Sequence, residues 1–341
     1  MNVLSAPERG SLLSELAAGD PALRDRLTER LRSVERCLRE RTARTADPRV
    51  AELVGHVVAT GGKRLRPLLV LLGAEFGEAG REGVVDAAVL AELVHASSLY
   101  HDDVIDGAGT RHGAASANAR WGERRAVFAG DWLLAQASRT ACGLGLEAVR
   151  ANAAAAGRLV RGQSLELLGP GPGVAPLDHY FQVISGKSAS LFALALRLGA
   201  LQAGAPGEHA DALAEYGEQL GLAFQISDDL LDVGSTARAT GKEPGMDVGA
   251  GVLSLPVLLA LAGDAPGDGE LRALIAAGPA AGTPPHRRAL ELLRDSAAFA
   301  GAGALRDERL ELARTALAAL PGTPARGALE RLCDFVAHRV G

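Results

Sequence analysis

Two short acidic segments hold the most legible chemistry in the chain: His101-Asp102-Asp103-Val104-Ile105-Asp106 and Ser227-Asp228-Asp229-Leu230-Leu231-Asp232. Both have the spacing Asp-Asp-x-x-Asp. On a helix, residues four apart share a face, so Asp102 projects with Asp106 and Asp228 with Asp232. Asp103 lies about 100° round from Asp102. Each segment ends a long apolar run, which places three carboxylates where the helix dipole is already negative. A divalent cation relieves that arrangement, and magnesium prefers carboxylate oxygens completed by water and substrate phosphates. One such cluster alone reads as a solvated acidic helix end. Two identical spacings on two buried-looking helices read instead as a clamp for several magnesium ions around one polyanion, if the helices face each other.

Basic residues interleaved with the clusters suit that polyanion. Gly61-Gly62-Lys63-Arg64-Leu65-Arg66-Pro67 sets Lys63 and Arg66 three apart at a helix start, where free backbone N–H groups also favour anions. Thr110-Arg111-His112-Gly113 follows the first cluster, and Gly186-Lys187-Ser188 and Gly241-Lys242 put single lysines beside later helices. Each alone reads as a surface charge. As a set they outline a diphosphate site.

These residues must be positioned by helices. Leucine-spaced periodicity predicts helices over Pro21–Thr42 and, from the Asp47-Pro48 start signal, to Val58. Further helices are predicted to Phe76, over Gly83–Asp103, Arg124–Gly143, Leu146–Leu168, Leu177–Leu198, Glu208–Asp232 and Leu255–Ala262, with shorter ones to Val340. Gly107–Gly113, Gly169–Gly173 and Gly234–Gly251 read as loops, and Gly263–Pro285 as a surface excursion. No run alternates with period two, so the expectation is an all-α chain. It reads as one domain over 1–341, with a motif-bearing core at about 50–260 and C-terminal helices at about 285–340. Central helices that are apolar nearly all round belong inside it.

Composition narrows the function. Aromatics are only 4%, so the 48% hydrophobic fraction is carried by aliphatic residues, and the abundance of strong helix formers such as alanine and leucine favours close helix packing. A net charge of −5 with no basic block argues against nucleic acid. Cys37, Cys142 and Cys333 lack metal-ligand spacing. No uncharged apolar run reaches the ~20 residues of a membrane span. With no secretory signal at the N-terminus, the expected location is the cytoplasm.

The paired Asp-Asp-x-x-Asp motifs, with Gly-Gly-Lys-x-x-Arg ahead and Gly-Lys-x-x-Gly-x-Asp (Gly241 to Asp247) behind, resemble those of the trans-isoprenyl diphosphate synthases, or polyprenyl synthetases. The likeness runs from about Gly61 to Pro256. It implies an isoprenoid-synthase helical bundle with a central cavity, in a homodimer, using three magnesium ions per active site. Asp102, Asp103, Asp106 and Asp228 would bind magnesium and the allylic diphosphate, supported by Asp229 and Asp232. Arg111, Lys187 and Lys242 would contact that diphosphate, with Gln225 a polar neighbour of the second motif. Lys63, Arg66 and His95 would hold isopentenyl diphosphate, and His112 stands where the family commonly has a second arginine. Val252 likewise replaces a common lysine. The implied reaction ionises the allylic C–O bond, adds the isopentenyl double bond to the carbocation and loses a proton.

Chain length follows from the helix ahead of the first motif. In the family, bulky aromatics four or five residues before the first aspartate stop growth. Here those positions are Ser98 and Ser97, flanked by Ala96, and Val94, Ala91, Leu90 and Ala87 further along also lack bulk. The segments Ser116–Gly122 and Ala129–Leu134 are also similar to quinone side-chain synthases. The expected product has at least twenty carbons, about thirty to fifty. A class I terpene cyclase is the nearest alternative, and a catalytically silent partner subunit the other. Lys63, Arg66 and His95 argue against the first, and the six intact aspartates against the second.

Overall fold

The computed structural model describes residues 12–62, 64–111, 113–234, 244–263 and 268–339. Local signals set many helix ends. Asp20 accepts from the Leu23 N–H at 2.8 Å and Pro21 opens α1 (Pro21–Ala43), while Asp47 and Pro48 open α2 (Pro48–Ala59) the same way. α3 (Leu65–Ala74) and α4 (Gly83–Ile105) follow. Next come α5 (Ala117–Trp121), α6 (Glu123–Leu144), α7 (Leu146–Leu168), α8 (Pro176–Ile184), α9 (Ser190–Gln202) and α10 (Gly207–Gly234). The rest are α11 (Met246–Ala250), α12 (Leu255–Ala262), α13 (Asp268–Ala276), α14 (Pro284–Arg294), α15 (Ala297–Leu317) and α16 (Pro324–His338).

Several details depart from the sequence pattern, among them α11, which lies in the segment Gly234–Gly251 read as a loop. A two-stranded antiparallel hairpin, β1 (Thr110–Arg111) and β2 (Ala114–Ala115), stands in the loop after α4; pairs this short leave no periodicity. The helix expected over Leu177–Leu198 is broken by a π-turn, Ser185–Ala189, between α8 and α9. The Ala/Gly/Pro-rich excursion contains α13, whose Leu271 is buried.

Contacts group the chain into two compact units. One comprises the described residues up to Gly157, with Leu191–Gly217 and Ala316–Arg331; the other comprises Arg158–Ser190, Glu218–Thr315 and the described residues from Leu332. In the first unit α3 is buried at every position but Arg66, and α4 is buried along most of its length. α3 and α9 touch backbone to backbone. A Cβ on Gly199 would lie 2.0 Å from the Val70 carbonyl oxygen, and one on Gly73 would lie 2.5 Å from that of Leu196. Two apolar clusters are formed by the described residues of the second unit. One gathers Tyr180, Ile184, Leu222, Ile226, Leu230, Leu255 and Leu258; the other Val233, Val257, Leu271, Leu290 and Leu293. Each fully buried Leu or Ile contributes roughly 1.5–3 kcal/mol. By length and composition Gly83–Ile105 and Pro176–Gln202 could span a bilayer, but 72% of each apolar window is buried within the protein. They are core helices.

Candidate active site

In the first unit, between Ala87 and Tyr100, only His95 and Ser98 on α4 are not buried, and beyond them Asp102 is also part-exposed. Spaced i, i+3 and i+7, these three share one accessible stripe, continued by the exposed Asp106 at the helix C-cap. Ser97 lies on another face. It is 1% exposed and its hydroxyl donates to the Gly130 carbonyl of α6 at 2.9 Å. Val94 is wholly buried. Asp103 is also wholly buried, one oxygen taking both Nε (2.8 Å) and Nη2 of Arg111 from β1. Its other oxygen is buried without a hydrogen-bond partner among the described residues. The hairpin that presents Arg111 is anchored by Ser116 and Asn118, which both donate to the Ala108 carbonyl, and by His56, which contacts the Ala115 carbonyl at 2.8 Å.

Arg66 lies in the first turn of α3, with Phe192 beneath its guanidinium at 5.5 Å. Its neighbour Arg64 carried no signal in sequence, yet it is the element's keystone. It is the single non-glycine residue with positive φ among those described (51°). Its buried guanidinium donates to Glu35 at 2.7 Å, Glu92 at 2.6 Å and the Val58 carbonyl at 2.7 Å. That network pins the turn from which Arg66 projects.

In the second unit α10 repeats the pattern: over its last turns the part-exposed positions are Gln225, Asp228, Leu231, Asp232 and Gly234, and the second aspartate of the motif is buried. Asp229 accepts from the Tyr180 hydroxyl at 2.7 Å, the Leu255 N–H at 2.9 Å and Gln225 Nε2 at 3.2 Å. Burial nevertheless outweighs those bonds and pushes its carboxyl up to about 6. Gln225 also accepts from Ser188 in the π-turn at 2.9 Å, linking the motif to the turn that carries Lys187. Lys187 itself pairs with Glu166 of α7. Gly162 and Gly186 permit that approach, since a Cβ on Gly186 would lie 2.7 Å from the Arg158 carbonyl. Asp232 accepts from the N–H groups of Met246 (3.1 Å) and Asp247 (3.0 Å). Burial, then the neighbouring Asp232 and Asp229, push the Asp247 carboxyl up to about 7. Buried His286, also silent in sequence, holds this connection by donating from Nε2 to the Gly245 carbonyl at 2.8 Å, its Nδ1 accepting from the Gly282 N–H. Asp228 pairs with Arg339 at 2.6 Å.

A family model described as Polyprenyl synthetase matches residues 47–285. The chain belongs to the polyprenyl synthetase family. It is 42% identical over 299 residues to a nonaprenyl diphosphate synthase from Mycobacterium tuberculosis, covering 87% of this chain and 89% of that one. It is 36% identical over 317 residues to heptaprenyl diphosphate synthase component 2 from Geobacillus stearothermophilus, covering 92% and 97%. A geranylgeranyl pyrophosphate synthase from Corynebacterium glutamicum, solved with calcium and isoprenyl diphosphate, superposes with a TM-score of 0.84 at 40% identity, covering 95% and 99%. The enzyme is a trans-prenyl diphosphate synthase that condenses isopentenyl diphosphate with an allylic diphosphate.

Of the residues expected from sequence, Asp102, Asp106, His95 and Ser98 come together on one stripe of this synthase, and Arg111 reaches the same motif through Asp103. Gln225, Asp228 and Asp232 share the face of the second motif, with Lys187 one link away. Lys63, His112 and Lys242 lie outside the described residues. The family uses divalent metals, and the side chains fit a hard cation: the orphaned Asp103 oxygen is a buried acceptor with nothing to accept. Among the described residues no three His, Cys, Asp or Glu side chains form a metal cage alone. An ion here would complete its shell with water and phosphate oxygens, as magnesium does.

Proposed function

We propose that this synthase builds a long all-trans prenyl diphosphate, C20 or longer and about C30–C50, in the cytoplasm as a homodimer. The observation that supports the length is the α4 stripe, on which Ser98 is the small residue one turn before Asp102, with no aromatic on that face back to His95. Relatives named as nonaprenyl, heptaprenyl and octaprenyl synthases favour the same range. For the dimer, Phe128 and Leu146 in the first unit are 71% and 61% exposed, and Val160 and Leu167 in the second are each 61% exposed. Apolar side chains of that size are suited to covering by a second copy.

In this reading the aspartates would hold magnesium, three ions in all: Asp102, Asp103 and Asp106 in the first unit, and Asp228, supported by Asp229 and Asp232, in the second. Magnesium, when bound, supplies positive charge to the leaving diphosphate as the C–O bond ionises. Arg111 in the first unit and Lys187 in the second, held on Asp103 and Glu166, would donate to diphosphate oxygens. Lys242 acts with them. Lys63, Arg66 and His95 hold isopentenyl diphosphate so that its double bond meets the carbocation, and His112 adds a further polar contact. The purified enzyme should be given magnesium, isopentenyl diphosphate and each allylic diphosphate from C5 to C20, and its products sized by mass spectrometry. Elongation that stops at C15 would sink the length reading, and hydrocarbons from the allylic substrate alone would favour a cyclase.

A further inference from the structure

Arg339 stands just beyond α16 in the second unit, its side chain only 7% exposed. Three of its features are fixed by neighbours. Nη2 donates to Asp228 Oδ1 at 2.6 Å. The guanidinium carbon sits 4.3 Å from the ring centroid of Phe224, one turn before Asp228 on α10. The end of α16 is itself docked on α10 by the Ser227 hydroxyl, which donates to the Val336 carbonyl at 3.0 Å. Stacking sets the plane of the fork and Asp228 sets its rotation, so the direction of the remaining terminal nitrogen is not free. That nitrogen, Nη1, is buried and has no hydrogen-bond partner among the described residues.

An ion pair that merely pins the C-terminal helix accounts for Nη2 but leaves Nη1 unexplained. Leaving a buried donor unsatisfied is costly, the more so on a charged group, and such atoms in folded proteins call for a reason. The planar arginine fork matches the oxygens of carboxylate and phosphate at once. Here one arm already holds a carboxylate of the diphosphate-binding motif.

We propose that Arg339 is a substrate-binding residue: Nη2 keeps Asp228 aimed, while Nη1 donates to an oxygen of the diphosphate that Asp228 serves. This rests on the reading of Asp228 given above. The ligand class is a diphosphate, and the probe is inorganic diphosphate.

The test is calorimetric titration of inorganic diphosphate into the full chain at saturating magnesium, for the parent enzyme and for R339Q, R339K and D228N. A hydrogen bond to a charged group is worth ~1.5–3 kcal/mol, so R339Q should weaken diphosphate binding about 10- to 100-fold. R339K retains charge without the fork and should recover only part of that loss. The diphosphate-induced rise in melting temperature should shrink in step. Magnesium affinity without diphosphate, read by manganese competition, should stay level or tighten in R339Q, because Asp228 loses a competing cation. Undiminished diphosphate binding in R339Q would overturn the proposal, whatever happens to its melting temperature. If R339Q does not fold, undiminished binding in R339K does the same. D228N separates the two readings: weak binding there with normal R339Q rejects Arg339 alone, and normal binding in D228N rejects the role given to the motif.

Discussion

The six aspartates divide by burial rather than by order of importance in the sequence. Asp102, Asp106, Asp228 and Asp232 are accessible, whereas Asp103 and Asp229 turn inward onto Arg111 and onto Tyr180, Gln225 and the Leu255 N–H. Asp102→Ala should therefore lower kcat by at least ~100-fold, the scale for removing a group that stabilises developing charge, with little change in melting temperature; near-normal turnover would remove the metal clamp from the mechanism. The two serines separate in the same way. Ser98→Phe puts a ring on the accessible stripe and should shorten the product, measured by mass spectrometry of the extracted diphosphates. Ser97→Phe instead drives a ring into the Gly130 backbone of α6 and should cost about 1–3 kcal/mol or more of stability, read from urea midpoints. A shortened product from Ser97→Phe with unchanged stability would reverse that assignment.

The elements explain what the sequence could and could not disclose. Helix existence was readable because α1, α2, α7 and α12 begin at proline, cap or glycine signals and carry regular apolar spacing. The π-turn at Ser185–Ala189 was not, since it depends on the mutual approach of Gly162 and Gly186 rather than on local propensity. Arg64, Tyr180, His286 and Arg339 were equally silent. Their roles come from partners distant in sequence, and an isolated Arg, Tyr or His has no spacing to read. Arg64 shows the cost of such a role: Arg64→Ala removes the cation that buried Glu92 shares with Glu35, and should destabilise the fold by about 3–5 kcal/mol in denaturant titration. The Asp247 connection predicts a pH effect. Burial pushes its folded carboxyl up to about 7, so between about pH 4 and 7 the native state holds a proton that the unfolded chain has lost. The stability of the metal-free enzyme should fall as pH rises through that window, and Asp247→Asn should flatten the slope. A slope that is the same in both proteins would contradict the burial of this carboxyl.

At the scale of the whole molecule, the proposed function rests on two helices built alike: each largely buried in the turns before its motif, each ending in a carboxylate stripe, each with its second aspartate tied down by hydrogen bonds. The fold places the α4 stripe beside Arg111, and the α10 stripe, which includes Gln225, beside Arg339, within their own units. If a second copy covers Phe128 and Leu146, light scattering should give twice the mass of one chain, and Phe128→Glu should reduce it to one. The central claim is the proposed one, that this synthase extends an allylic diphosphate past twenty carbons with a divalent metal. Incubation with magnesium, isopentenyl diphosphate and geranylgeranyl diphosphate, followed by mass spectrometry, tests it most directly. The prediction is a series of all-trans diphosphates reaching about thirty to fifty carbons, abolished by chelating the metal. Failure to extend the C20 substrate, or extension that survives chelation, would contradict it.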